Sequence, residues 1–365
     1  MSVGRSGRGL LLPFLEEGSA WRAEVGAAPL PSAEPRIGSG LGGRQIFDFA
    51  TLDRRHLRVP SARFFIRTFR PETLPDARTW SLAIDGLATR PLRLPLAEFR
   101  RRSRPAGTHL LECSGNDREH DFGLISSAAW EGVPALELLE RTRPTREAAA
   151  IEISGFDEHR MPSFGSVEGA SWVFTREQLA TTGAFFATGM NGGPLTRDHG
   201  FPLRLIVPGW YGCASIKWAL RARWVTADFA ATSQMKEFAA RTMQDGIPEK
   251  ALDFRAPAID PAAMPVRAEL FRDAGGDEVR LDGVLWGGPE KVQQVEIRCG
   301  ADSPWEAVNE LSRPEAGTPW RIWTHRFRPG AGGRYAVRLR IVDRGVQTRR
   351  LDQGYYERTV EIPLR

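Results

Sequence analysis

Residues 108–116 read Thr-His-Leu-Leu-Glu-Cys-Ser-Gly-Asn, and this short stretch is the most informative in the chain. Its apolar run is typical of a strand that ends at Cys113, and Ser114-Gly115-Asn116 then predicts a turn. A lone cysteine is most often a buried structural residue. A strand end beside polar residues and Arg118 instead favours a thiolate that acts as nucleophile or metal ligand. The segment alone leaves both interpretations open.

A second stretch, residues 190–218, reads M-N-G-G-P-L-T-R-D-H-G-F-P-L-R-L-I-V-P-G-W-Y-G-C-A-S-I-K-W. It predicts a turn at 191–194, a polar loop at 197–200 and a strand at 201–207. His199, Arg204 and Lys217 then lie on or beside one scaffold and could present donors to a single anionic ligand. The alternative is that Arg204 pairs with a nearby acid and His199 fills a gap in the core.

The composition describes a globular protein with room for two domains. The chain has 365 residues, of which 41% are hydrophobic and 26% charged, and at roughly 150 residues per domain this allows two domains and a remainder. No apolar run approaches the about 20 residues that span a bilayer. The net charge is +5 without any basic block, so a nucleic-acid partner is not expected. The arginine excess is read first as codon bias and second as anion handling.

The cysteine content and the N-terminus bear on the compartment. Cys113, Cys213 and Cys299 are too few and too scattered for a disulfide framework or a CxxC metal site. A reducing compartment is the simplest fit. Residues 1–18 lack a full apolar signal region and a cleavage site. We therefore expect a cytoplasmic protein, with a periplasmic one left open if the start of the sequence is misplaced.

Changes of texture along the chain predict its domains. Residues 1–60 are expected to form an extended arm on the domain that follows; its Gly38-x-Gly40-x-x-Gly43 has no strand before it and is not read as a dinucleotide site. Residues 61–245 mix strands and helices without a βαβ repeat, which indicates an α+β domain; one predicted strand covers 62–69. Residues 246–265 are a proline-rich linker. Residues 266–365 alternate like an immunoglobulin-like β-sandwich.

At this point the sequence resembles the sulfite oxidase family of molybdopterin-dependent oxidoreductases, in its haem-free bacterial-type form. The resemblance runs from about residue 60 to the C-terminus, and the sandwich is similar to the family's dimerisation domain. The motifs that carry it are Glu112-Cys113-Ser114-Gly115-Asn116, Met190-Asn191-Gly192, Arg197-Asp198-His199-Gly200 with Phe201-Pro202-Leu203-Arg204, and Ile216-Lys217-Trp218.

The resemblance implies a molybdenum–molybdopterin cofactor with Cys113 as its metal-binding thiolate. It implies catalytic arginines near a substrate oxyanion: Arg67, Arg118 five residues after the cysteine, and, most loosely, Arg321 of the C-terminal domain. It also implies cofactor contacts, and these fall on Phe65, Ile66, Arg67, Thr68, Phe69, Asp157, His199, Arg204, Ser215, Ile216 and Lys217. Guanidinium, ammonium and imidazolium groups of Arg204, Lys217 and His199 would then hold the pterin phosphate.

Two departures from the family's pattern bear on the substrate. Thr68-Phe69 replaces the Asn-His that usually follows the family's arginine, and Phe238 stands where sulfite-oxidising members carry a tyrosine. Ser114 also replaces the alanine of the better-known sulfite oxidases. The sequence contains no CxxCH haem motif. Electrons are therefore expected to pass to or from a separate partner, a cytochrome being one option.

The resulting hypothesis is an oxidoreductase that carries out two-electron oxygen-atom transfer on a small oxyanion or sulfur compound, with sulfite to sulfate as leading candidate. A reductase of the same fold, acting on a sulfoxide or another oxidised substrate, is the first alternative. A catalytically silent descendant that keeps the fold is the second. A cysteine hydrolase is the third, since His199 and Asn191 could in principle serve Cys113. A homodimer is expected from the sandwich.

Overall fold

A computed structural model describes residues 9–15, 36–52, 57–71, 73–156, 170–273, 275–315 and 317–363. Asp157, one of the expected cofactor contacts, lies outside these residues. In chain order the described strands are β1 (Leu10–Leu12), β2 (Phe14–Leu15), β3 (Arg36–Ile37), β4 (Arg44–Gln45), β5 (Ser81–Gly86), β6 (Leu92–Pro95), β7 (Arg104–Glu112), β8 (Ile125–Pro134), β9 (Ala150–Gly155), β10 (Ser171–Phe174), β11 (Phe185–Met190), β12 (Gly193–Pro194), β13 (Arg204–Ile206), β14 (Ala219–Val225), β15 (Ala262–Asp273), β16 (Gly276–Trp286), β17 (Val295–Cys299), β18 (Glu306–Ala307), β19 (Glu310–Leu311), β20 (Trp320–Phe327), β21 (Gly333–Ile341) and β22 (Arg358–Ile362).

The α-helices of the described residues are short and lie between strands. They are α1 (Leu96–Arg102), α2 (Ala135–Glu140), α3 (Arg176–Thr182), α4 (Ser233–Glu237) and α5 (Arg349–Asp352). Local sequence sets their starts: Thr175 and Gln178 form a capping box on α3, and the Thr232 hydroxyl accepts from the Met235 amide at the start of α4. Because these helices are short, most of the described secondary structure lies in the sheets.

Two sheets make up the α+β domain. One has the order β10-β9-β14-β5-β6, with β14 and β5 parallel and the other pairs antiparallel. The other has the order β12-β11-β8-β7, with β13 also paired to β11. Strand β7 lies at the edge of this second sheet and ends at Glu112, directly before Cys113. The Cys113 turn therefore projects from a sheet edge.

The C-terminal residues form the expected antiparallel sandwich. Its sheets have the orders β1-β15-β16-β20-β19 and β18-β17-β21-β22-β2. Alternating burial along β17 and β22 places Val295, Ile297, Val360 and Ile362 in the core. The arm contributes an edge strand to each sheet, β1 to one and β2 to the other. This part of the arm lies on the sandwich and not, as expected, on the domain that follows it.

One hydrophobic core runs through both domains. It joins Leu111, Phe122 and Trp130 of the β7–β8 region to Trp286 and Trp320 of the sandwich in a single cluster of buried side chains. The Trp320 indole N–H also donates to the carbonyl oxygen of Leu57 at 2.7 Å. Burial of so many large aromatic groups favours a fixed arrangement of the two domains. The sandwich is therefore part of the framework around the Cys113 turn.

Two details of the sequence prediction are wrong. Residues 62–69 form no strand; they make a turn with one isolated bridge from Ile66 to Gln45. The Gln45 side chain donates to the carbonyl oxygens of Ala62 and Phe64, at 2.9 and 3.0 Å, and so replaces a neighbouring strand. The linker also ends earlier than expected, because β15 begins at Ala262 and extends the sandwich.

Candidate active site

The Cys113 turn closes through its own backbone. The Asn116 amide donates to the Cys113 carbonyl at 2.9 Å, and the Gly115 amide donates to the Cys113 sulfur at 3.3 Å. The Asn116 side chain accepts from the Leu124 amide at 2.9 Å and joins the turn to the segment before β8. Cys113 is 5% exposed. The turn therefore holds the sulfur in one place, as a metal ligand requires.

Arg44 lies close enough to Cys113 for their charges to interact, and Arg67 lies beside Arg44. The Arg44 guanidinium donates to the Arg67 carbonyl at 2.9 Å, and so joins β4 of the arm to the segment after Phe64. Burial, with the neighbouring charge of Arg67, lowers the pKa of Arg44 to about 10, while Cys113 and Asp117 oppose that shift electrostatically. Positive charge therefore concentrates at the thiol side of the turn.

A third arginine reaches the turn from the segment after α4. A methyl group placed on Gly115 would lie 3.5 Å from Arg241 Nη1. The Arg241 guanidinium also lies 5.7 Å from the ring centroid of Phe238. Phe238, the residue that stands for the family's tyrosine, is thus a neighbour of the arginine that covers the Cys113 turn.

A fourth arginine comes from the sandwich. Arg350, in α5, donates through Nη2 to the carbonyl oxygens of Ser114 and Arg241, at 2.6 and 2.7 Å. Its guanidinium stacks over the rings of Tyr211 and Tyr355, at 4.6 and 4.9 Å from their centroids. Arg350 therefore ties the C-terminal domain to the loop that carries the sulfur.

A second cationic cluster is formed by Arg204 and Lys217, and it contacts residues 64–69. Arg204 is buried and Lys217 is half-buried, and the Lys217 ammonium donates to the carbonyl oxygens of Thr68 and, at 3.0 Å, Asp198. Burial and the charge of Arg204 lower the pKa of Lys217 well below its usual value, and burial lowers that of Arg204 to about 9. Among the described residues no acceptor lies within hydrogen-bond distance of Arg204 Nε. This concentration of cations fits an anion that the chain itself does not supply.

His199 shares this cluster, and its hydrogen bonds in the structure are those of a neutral imidazole. Its Nε2 lies 3.1 Å from the Phe64 carbonyl oxygen and so donates to it, and its Nδ1 accepts from the Thr196 hydroxyl at 2.6 Å. Burial, together with the charges of Arg204 and Lys217, lowers the pKa of His199 to about 3. His199 therefore positions the Phe64–Phe65 backbone beside the cations.

The pH dependence of stability should reveal this neutral state. Because the pKa of His199 falls from 6.5 to about 3 on folding, its contribution is complete above pH 6.5 and is lost as the pH falls from there toward 3. The slope from this site is at most about 1.4 kcal/mol per pH unit. We expect the difference in unfolding free energy between the cofactor-free native protein and His199→Gln to decline in that window. Urea titrations between pH 7.5 and 4.5 measure it, and a pH-independent difference would contradict the assignment.

Residues 64–69 connect the two cationic clusters. His199 and Lys217 bind the carbonyls of Phe64 and Thr68, and Arg44 binds that of Arg67, which lies between them in sequence. Phe65 is anchored because its amide donates to the Ser126 hydroxyl at 3.1 Å.

The arm covers the far end of this segment. The Phe69 amide donates to the Gly40 carbonyl at 3.0 Å. A side chain at Gly43 would meet the Phe69 ring at 2.0 Å, so glycine is needed there. The glycines of the arm therefore serve close packing.

Ser215 and Ile216 lie beside the second cationic cluster, but their groups are already engaged. The Ser215 hydroxyl accepts from the Val207 amide at 3.2 Å, and the Ile216 carbonyl accepts from the Leu205 amide at 2.8 Å. The Ile216 side chain is part of the core. Their contacts therefore hold residues 203–207 against the segment that ends at Lys217.

Two of the expected substrate arginines have other surroundings. Arg118 is 45% exposed and lies 4.0 Å from Glu357 of the sandwich. Arg321 lies on β20, where its guanidinium donates to the carbonyl oxygens of Ser312 and Val292. From the C-terminal domain, Arg350 donates a hydrogen bond to the Cys113 turn. Sequence reasoning also missed Arg44 and Arg241, which lie in segments without periodicity or motif.

Comparison with known proteins agrees with this geometry. Residues 70–232 match the family described as "Oxidoreductase molybdopterin binding domain". The chain is 28% identical to sulfite oxidase of Gallus gallus, covering 78% of this chain and 66% of that protein, just under two thirds of its length. It is 31% identical to nitrate reductase [NADH] 2 of Phaseolus vulgaris over 45% of this chain and 20% of that one. The crystal structure of the sulfane dehydrogenase SoxCD from Paracoccus pantotrophus has a TM-score of 0.68 at 18% identity, covering 88% of this chain and 84% of that one, and so shares the fold.

The matched domain defines an oxidoreductase of the molybdopterin-binding class. The chain as a whole is similar to the sulfite oxidases. The matched domain implies a molybdenum–molybdopterin cofactor, and the residues present fit one. Cys113 offers a soft thiolate ligand on a fixed turn, and the buried Arg204 and half-buried Lys217 offer charge to a phosphate. Within the described residues, no helix is long and apolar enough to cross a membrane.

Proposed function

We propose that this chain oxidises a small sulfur oxyanion at a molybdenum cofactor held by Cys113, with sulfite to sulfate as the leading reaction. The observation that carries the proposal is a cluster of arginines at the Cys113 turn: Arg44 interacts with Cys113 and with Arg67, and Arg241 lies against Gly115. Guanidinium groups held in a partly dry site bind oxyanions by charge and by paired N–H donors. A neutral sulfoxide would gain little from them, so the arginines favour the anionic substrate over the reductase alternative.

Different residues of the chain bind the cofactor at its anionic tail and at the metal. Arg204 and Lys217 bind the anionic tail of the cofactor, and the backbone of residues 64–69 lies between them and the thiolate. When bound, the cofactor supplies the two-electron redox step. In the net reaction, sulfite and water give sulfate, two protons and two electrons, and the electrons leave to a separate acceptor.

Phe238 and Thr68, the two departures from the family's pattern, each hold a cationic side chain of this site in place. Phe238 stacks with Arg241 and so helps to place its guanidinium over the turn, while the Thr68 carbonyl holds Lys217. Arg118 at the boundary with the sandwich, paired with Glu357, extends the positive surface toward solvent. A redox partner protein and a homodimer formed through the sandwich complete the proposal.

Metal analysis and a substrate panel test this function. Protein from a host able to make the cofactor should contain about one molybdenum per chain, and an artificial electron acceptor should be reduced with sulfite. Less than about a tenth of an equivalent of molybdenum would contradict the proposal. Nitrate and dimethyl sulfoxide with a reduced dye form the second arm, since a related nitrate reductase exists. Turnover of either one without sulfite oxidation would replace the reaction, and a loaded but inactive protein would favour the silent descendant.

A further inference from the structure

Glu112, the residue before the sulfur ligand, carries a carboxyl group that is completely buried, with 0% of the residue exposed. Three donors converge on it. The Asn116 side chain and the Tyr356 hydroxyl donate to Oε1, at 3.2 and 2.9 Å, and the Trp286 indole donates to Oε2 at 2.8 Å. The Arg350 guanidinium adds an electrostatic attraction. A carboxyl at this depth requires such a set, because burial of the group is costly unless its hydrogen bonds are satisfied.

The donors come from both domains. Asn116 belongs to the Cys113 turn, while Trp286 ends β16 and Tyr356 follows α5 in the sandwich. The rings of Trp286 and Tyr356 pack edge to face at 5.0 Å, and Tyr356 also contacts Phe122, at 5.5 Å, on the far side of the turn. The Glu112 carboxyl therefore connects the sandwich, through hydrogen bonds, to the turn that carries the sulfur.

The donor set selects a carboxylate over its amide. Asn116 cannot reverse its amide without losing the bond in which its Oδ1 accepts from the Leu124 amide. The Trp286 indole can only donate. A glutamine at 112 would have to direct its own NH₂ group at one of these two donors. Glutamine keeps the volume of the site but loses at least one hydrogen bond and creates a donor–donor contact.

We propose that Glu112 is a positioning residue that links the sandwich to the turn carrying the metal-binding sulfur. Through Trp286 and Tyr356 it fixes the base of the Cys113 turn, and through Asn116 it fixes the turn's closure, so the direction of the sulfur depends on the C-terminal domain. Arg350 acts beside it, because its bonds to the Ser114 and Arg241 carbonyls hold the outer side of the same turn. The proposal rests on the proposed function, since it concerns the ligand geometry of that cofactor.

The test compares Glu112→Gln with the native holoenzyme. We expect the variant to retain molybdenum, to shift the thiolate-to-molybdenum charge-transfer absorption and the molybdenum–sulfur distance measured by X-ray absorption, and to lose about tenfold in kcat with little change in KM. Tyr356→Phe removes one of the three donors and should give a smaller shift of the same band. It decides the question by itself if Glu112→Gln does not fold.

Asp282→Asn is the matched control. Asp282 is likewise buried, at 1% exposure, and accepts from the Thr324 hydroxyl at 2.7 Å within the sandwich. This variant should lower Tm and leave the absorption band unchanged.

Loaded Glu112 or Tyr356 variants with the native band and native kcat would overturn the positioning role while leaving the proposed function intact. A native protein that binds no molybdenum would instead contradict the proposed function.

Discussion

Replacing Cys113 with alanine should reduce turnover to the background of the assay and remove the thiolate-to-molybdenum absorption band. The reason is chemical: molybdenum in its high oxidation states requires soft anionic sulfur donors, and Cys113 is the thiolate that the turn presents. Its sulfur already accepts from the Gly115 amide, so the alanine variant loses both a metal ligand and a partner of that amide. Molybdenum content, absorption and sulfite-dependent dye reduction measure the effect together.

Cys299→Ala is the matched control, because Cys299 is also buried but belongs to the sandwich strand β17. Burial raises the pKa of the Cys299 thiol to about 12, which marks an unreactive thiol. This variant should lose some stability and keep its molybdenum and its band. If Cys113→Ala retained both turnover and the band, Cys113 would not be the metal ligand. Rapid alkylation of Cys113 in the loaded protein would point the same way and revive the hydrolase alternative.

The fold could be predicted where burial leaves a periodic trace. Alternation along β17, β21 and β22 predicted the sandwich, because each of these strands turns one face to a core and the other toward solvent. The run at 62–69 has the same apolar texture, yet the carbonyls of Ala62 and Phe64 accept from one glutamine side chain, Gln45, 17 and 19 residues away. A bond of that kind leaves no pattern in the segment it supports.

The same distinction between local patterns and long-range contacts applies to the residues of the site. Cys113, Arg204 and Lys217 lie in compact motifs whose residues are neighbours in sequence, and the resemblance could assign them. Arg44, Arg241 and Arg350 reach the Cys113 turn from the arm, from the turn after α4 and from α5 of the sandwich. Their proximity follows from long-range packing, which a single sequence does not encode locally. The charge state of His199 likewise leaves no trace in a motif, since burial and the neighbouring cations lower its pKa to about 3.

Arg44→Met should raise KM for sulfite about 10- to 100-fold and change kcat much less. Arg44 adds a guanidinium beside Arg67 and the Cys113 sulfur, and a charged hydrogen bond to an anion is worth about 1.5–3 kcal/mol, or one to two powers of ten in affinity. Methionine keeps much of the volume and removes the charge. Steady-state kinetics with an artificial acceptor, and inhibition by sulfate, should both report the loss.

Arg340→Met separates this local effect from the loss of one charge anywhere on the protein. Arg340 is paired with Glu296 on the sandwich at 2.6 Å, so its removal should leave KM within about twofold of the native value, as exposed ion pairs contribute little. Ionic strength sharpens the distinction. Added salt screens attraction between an anion and a cationic site, so KM should rise with salt more steeply in the native protein and in Arg340→Met than in Arg44→Met. Equal salt slopes in all three proteins, with an unchanged KM in Arg44→Met, would mean that the arm supports the fold of residues 64–69 and takes no part in attracting the substrate.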